Sequence, residues 1–163
     1  MFFFTFLLTL LAPLQAQDVT QPPPNAQLRY TTEGVGVQIY HCTAQSGSFQ
    51  WVFDQPEATL FDPTTKQEVG THGAGPTWTW KDGSSITGKV LQKQASTDPL
   101  AIPWLLLETK ASGEASGALT GIVFVRRSNT QAGMAPATGC DAQHQDNILR
   151  VPYEATYTFY TTN

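Results

Sequence analysis

Tyr153-Glu154-Ala155-Thr156-Tyr157-Thr158-Phe159-Tyr160 carries two interleaved sets of residues near the end of the chain. Tyr153, Ala155, Tyr157 and Phe159 alternate with Glu154, Thr156, Thr158 and Tyr160. A period of two places successive side chains on opposite faces of a strand, so this stretch predicts a β-strand with one buried face. The same period recurs upstream. Val35, Val37 and Ile39 alternate with Gly36, Gln38 and Tyr40, which predicts a half-buried strand with the aliphatic set inward. Phe49, Trp51 and Phe53 form an aromatic stripe predicted to point into the core together. Trp78 and Trp80 alternate with Thr77, Thr79 and Lys81, and Ile86, Gly88 and Val90 follow a turn at Lys81-Asp82-Gly83-Ser84.

Two continuous apolar runs, Trp104 to Leu107 and Ile122 to Val125, read as strands covered on both faces. The Ala- and Gly-containing stretch between them reads as a hairpin loop. No segment sustains a helical period over ten residues. Eight or nine short strands joined by turn residues predict an all-β fold, an antiparallel sandwich or barrel. The strand-poor stretch from Gly133 to Asn147 reads as a long loop.

Export is the second expectation. Phe2 to Leu11 is an apolar run followed by Ala12-Pro13-Leu14-Gln15-Ala16, the layout of a signal peptide cut after Ala16. The run is shorter than the roughly 20 residues a membrane-spanning helix requires. The sequence thus divides into a signal peptide at 1–16, a Pro-rich linker at 17–26 and one β domain at 27–163, secreted or periplasmic, with no membrane attachment after cleavage. Cys42 and Cys140 are the only cysteines. An even count in an oxidising compartment reads as a disulfide. Such a bridge would pin the 133–147 loop to the body of the domain.

Charged residues are 13 % of the chain and the formal net charge is −4. That balance argues against nucleic acid, which requires a basic face. Arg126-Arg127 is the only adjacent basic pair, and strand alternation sends its two side chains to opposite faces.

Several stretches resemble a family of secreted bacterial and fungal proteins grouped as a domain of unknown function, number 3455. They are Gly36-Val37-Gln38-Ile39-Tyr40-His41-Cys42, Trp51-Val52-Phe53, Val69-Gly70-Thr71-His72 with Gly75-Pro76-Thr77-Trp78, and Asp82-Gly83-Ser84. Ile102-Pro103-Trp104-Leu105-Leu106-Leu107, Ala135-Pro136 before Cys140, and Val151-Pro152-Tyr153-Glu154-Ala155 with Phe159-Tyr160 complete the match. The resemblance implies export, a single domain and no established activity. Some fungal relatives carry a malate dehydrogenase label, but no strand–GxGxxG–helix unit is present to hold a dinucleotide. Asp62-Pro63-Thr64-Thr65-Lys66 departs from the Asp-x-Gly turn the family favours.

The segment from Val69 to Ser84 brings a His, two Trp and an Asp together among four Gly and a Pro. His72, Trp78, Trp80 and Asp82 are therefore the candidate ligand-binding residues, and exposed Trp faces there would stack on sugars or aromatic ligands. Three functional classes fit: a binding protein for a glycan or small apolar ligand, a secreted hydrolase using His72 and Asp82, and a ligand-free envelope or surface protein. No cofactor motif is present. His41, His72 and His144 have no ligand spacing, so no metal is expected.

Overall fold

A computed structural model describes residues 17–114 and 116–163; the signal-peptide reading falls on residues 1–16, outside them. The described chain forms eight antiparallel strands: β1 (Ala26–Gln45), β2 (Ser48–Phe61), β3 (Glu68–Gly73), β4 (Thr77–Trp80), β5 (Ser85–Gln94), β6 (Trp104–Ala111), β7 (Phe124–Ala132) and β8 (Ile148–Thr162). Each pairs with the next and β8 pairs back to β1, so the sheet is a closed up-and-down barrel. Closure leaves no sheet edge unpaired.

The longest seam is β1–β8, running from Ala26↔Thr162 to His41↔Ile148. Along it Tyr153, Ala155, Tyr157 and Phe159 all point inward and are buried, as their alternation predicts. The β1 face opposite them is not the aliphatic set. Cross-strand partners share a face, and the pairs Thr32↔Tyr157, Gly34↔Ala155 and Gly36↔Tyr153 put Thr32, Gly34 and Gly36 inside. Val35 is 45 % exposed on the outside and Val37 half-buried, while Ile39, beside the register shift at Ile39/Tyr40, is buried. The cause is steric. A Cβ on Gly34 would lie 2.5 Å from the ring of Tyr157, and one on Gly36 would meet Glu57 and Ala58 of β2, so neither position has room for a side chain.

The aromatic stripe of β2 also departs from expectation. Phe53 is 49 % exposed, and Phe49 and Trp51 are half-buried. Trp51 Nε1 donates to the Thr138 carbonyl at 3.0 Å, so this ring holds the 133–147 loop rather than filling the barrel. The same loop is tied by the Cys42–Cys140 disulfide, Cα to Cα 5.3 Å.

The two ends of the barrel differ. At one end lie the turns 62–67 and 81–84 and the loop residues 112–114 and 116–123. Leu119 and Ile122 from that loop are buried against Trp78, Ile86, Val125 and Phe159 and plug the interior. Strand β7 therefore begins only at Phe124, because Ile122 belongs to the plug. The 62–67 turn is closed by Asp62, which accepts the Thr64 and Thr65 amides, and Lys66 takes a φ of 58°. At the other end lie the β1–β2 hairpin, the 74–76 turn and the loops 95–103 and 133–147, joined by the bridge Ala101↔Gly133.

Residues 17–26 read from sequence as linker; Ala26 already opens β1, and the part before it has a specific seat on the outside of the barrel. Val19 N–H donates to Gln94 Oε1, and Arg126 donates to Thr20 Oγ1 and to Asp18 Oδ2. Thr20 is fully buried. Arg126 also lies over the Trp104 ring, 5.4 Å from its centroid. Leu106 and Leu107, adjacent in β6, are both buried, as a continuous apolar run predicts.

Replacing Cys42 and Cys140 together by Ala is expected to cost about 2–5 kcal/mol, since the bridge spans 98 residues. A urea-melt midpoint that does not move would show that the loop is held without the disulfide.

Candidate functional site

The open end leads into a cavity of about 540 Å³. A volume of 300–1,000 Å³, about that of typical ligand pockets, is what an eight-stranded barrel can enclose when its side chains do not fill it. Its floor is the aromatic layer at mid-barrel. Its wall carries apolar side chains, among them Leu105, Leu107, Ile102 and Val90, and a few polar ones: Gln38, His72, Arg127 and the tyrosines.

His72 reaches the interior because β3 pairs with β4 at His72↔Trp78, so the two rings are cross-strand neighbours on one face. They stack 4.5 Å apart at an interplanar angle of 12°. Gly88 on the next strand leaves the room that Trp78 occupies; a Cβ there would lie 2.9 Å from the indole. His72 Nδ1 donates to the Thr77 carbonyl at 3.0 Å, which leaves Nε2 as the acceptor nitrogen. Burial pushes the imidazole pKa down to about 3. The Thr77 bond opposes that shift and the nearby Arg127 charge adds to it. His72 is therefore a neutral imidazole at physiological pH.

Trp78 is 1 % exposed and Trp80 half-buried. Trp80 packs on Phe159 at 5.3 Å and Tyr30 at 5.5 Å, towards the plugged end and away from the cavity wall. Neither indole presents an open face on which a sugar could stack, so the platform expected from sequence is not formed. Asp82 lies in the 81–84 turn at the plugged end. Its Oδ1 accepts from Ser84 N–H and Oγ–H, and its Oδ2 accepts from Ala118 N–H at 2.7 Å. Those bonds, the Ser84 hydroxyl foremost, hold the carboxyl below its usual range. Asp82 thus anchors the plug, and it and His72 serve opposite ends of the barrel. The segment from Val69 to Ser84 delivers His72 and Trp78 to the cavity and withholds Trp80 and Asp82.

The residue that sequence reading passed over is Arg127. Alternation along β7 sends Arg126 outward and Arg127 inward, and that alternation was the available signal. Arg127 Nε and Nη2 both donate to the Pro103 carbonyl, at 3.0 and 2.9 Å. Among the described residues no carboxylate lies within ion-pair distance of it. Tyr157 stands beside it. Burial raises the Tyr157 hydroxyl well above its ordinary pKa, and the same holds for Tyr153. These two hydroxyls bond each other at 3.0 Å. Gln38 lies beside Tyr153, yet its Nε2 has no hydrogen-bond partner among the described residues; Trp78 Nε1 has none either.

Among the described residues no three His, Cys, Asp or Glu side chains converge as metal ligands. His41 pairs with Asp54 and His144 with Asp141, each apart from His72. No helix among the described residues is long and apolar enough to cross a membrane.

Fold and site together define a closed antiparallel barrel, plugged at one end and hollow at the other. The chain belongs to the family described as "Protein of unknown function (DUF3455)", which matches residues 22–161. No curated protein and no solved structure matches it.

The depressed His72 pKa makes stability depend on pH. The unfolded chain takes a proton near the ordinary value of about 6.5 and the folded one only near 3, so folding loses free energy as pH falls between them. Wild type should lose up to about 1.4 kcal/mol per pH unit from pH ~6.5 to ~4.5, and His72→Phe should remove that slope. Urea melts at several pH values would check it. Equal slopes in both proteins would mean that His72 is not buried neutral.

Proposed function

We propose that this protein is exported and binds a small, largely apolar molecule inside its barrel. One observation carries the reading: a hollow of about 540 Å³ occupies one end of a barrel whose other end is packed solid. A fold selected for stability alone would fill that space with side chains, as the other end of the barrel is filled. The composition of the wall supports the same conclusion. Apolar and aromatic side chains dominate, and the polar groups are few and fixed, as in sites that orient a small ligand. The Nε2 of His72 offers an acceptor, and Gln38 Nε2 offers a donor without a hydrogen-bond partner among the described residues. Export is supported by the apolar run at 2–11 with a small residue at Ala16, and by the disulfide.

The apolar-ligand reading is favoured over a glycan because the indoles are buried. It is favoured over a hydrolase because His72 has a backbone carbonyl at Nδ1 and no carboxylate to orient it as a base. The test uses the neutral fluorescent probe N-phenyl-1-naphthylamine. Its emission should rise on mixing with the mature protein, with a dissociation constant of about 1–100 μM. Leu105→Trp, which fills the cavity from β6, should abolish the rise while the cooperative melt persists. A probe signal that is absent in wild type, or unchanged in the filled variant, refutes binding in the barrel.

A further inference from the structure

Arg127 is a cation on the wall of an apolar cavity, and among the described residues no carboxylate neutralises it. Two of its N–H groups go to the Pro103 carbonyl, and the others have no carboxylate among the described residues. Holding a guanidinium in such a place is unfavourable unless it meets charge or strong acceptors. Among the described residues the remaining charged and titratable groups of the wall place no anion beside it, and the acceptor that faces it is the neutral Tyr157 hydroxyl. Asp54 and Lys93 stand exposed at the rim, where Asp54 is 3.3 Å from His41 Nε2. His72 is neutral, and the Tyr40 hydroxyl donates to the Gly133 carbonyl at 2.7 Å. Tyr157, next to Arg127, shares its hydroxyl with Tyr153.

A second, independent observation points the same way. Gln38 is 2 % exposed, lines the cavity and has an Nε2 without a hydrogen-bond partner among the described residues. A buried donor left unpaired costs about 1–3 kcal/mol. The Tyr153–Tyr157 pair lies between Gln38 and Arg127, so the cation and the unused donor border one polar patch in an otherwise apolar wall.

We infer that the cavity selects small monocarboxylates with an apolar body, the carboxylate held by Arg127 with Gln38 Nε2 as a further donor. This deepens the binding reading above and rests on it. A carboxylate matches the planar fork of a guanidinium and accepts more than one N–H at once. A doubly charged phosphate would leave one charge uncompensated beside a single half-buried cation. The body of the ligand, aryl or short alkyl, would lie against Leu105, Leu107 and the His72–Trp78 stack.

The test compares 2-naphthoate with its neutral isostere 2-naphthamide by calorimetric titration at pH 7. Wild type should bind the carboxylate at least tenfold more tightly, the scale of a charged hydrogen bond. Arg127→Met should reduce that difference to about threefold or less by weakening naphthoate alone, with 2-naphthamide affinity kept as the sign of an intact cavity. Arg127→Lys keeps the charge and should retain part of the preference, which covers the case of a methionine variant that fails to fold. Equal affinities in wild type, or a preference that survives in Arg127→Met, overturn the inference. If N-phenyl-1-naphthylamine enters the barrel but naphthoate is not preferred, only the carboxylate assignment falls. If none of the three compounds binds, the cavity reading falls with it.

Discussion

Closure of the sheet through the β1–β8 seam is the constraint on which the rest depends. Without it the barrel is an open sheet with two long unpaired edges and no interior. The seam runs most of the length of both strands, and its inner face is asymmetric: large side chains from β8, small ones from β1. That asymmetry decides where the interior is full. Tyr157 and Phe159 pack with Trp78, Trp80, Leu60 and Val125 from mid-barrel to one end, and Leu119 and Ile122 complete the plug. Beyond Tyr153 the inward positions of β1 pass to Gln38 and Tyr40, the strands are no longer filled from both sides, and the hollow begins.

Different devices hold the two ends. The plugged end is held by packing and by Asp82 and Ser84, which accept the Ala118 and Leu119 amides. The open end has no such filling and depends on covalent and hydrogen-bonded ties between loops. These are the Cys42–Cys140 bridge, the Trp51 indole on Thr138, Tyr40 on Gly133, and Thr130 on the Ile102 carbonyl at 2.6 Å. Ties of this kind fix a rim without occupying the space inside it. A binding mouth requires that combination: walls fixed before the ligand arrives, so that little ordering remains to be done on binding.

Much of the fold was legible because strands declare themselves by period. The alternation of Tyr153 to Tyr160 gave β8 and its inward face, and Trp104 to Leu107 gave a strand covered on both sides. Period alone does not say which face is inside when one face carries glycine. Apolarity alone therefore points Val35 and Val37 inward, and the groups that make the glycine face the inner one, Tyr157 at Gly34 and the β2 backbone at Gly36, are not visible in the local sequence. The site was half legible. Clustering in sequence brought His72, Trp78, Trp80 and Asp82 into one segment, but β4 crosses the barrel between the 74–76 and 81–84 turns and carries the later residues to the plugged end. Arg127 carried no motif, and only its parity in β7, relative to Arg126, marked it as the inward member of the pair.

The central claim is that the hollow end of this barrel is a ligand site. Mapping 2-naphthoate by amide and side-chain chemical-shift changes in isotope-labelled protein tests it most directly. The account predicts that saturable shifts concentrate at Gln38, Tyr40, His72, Leu105 and Arg127, and leave Trp80, Asp82 and Leu119 at the plugged end unmoved. Shifts confined to the outer surface or to the plugged end, or none at millimolar ligand, would contradict it.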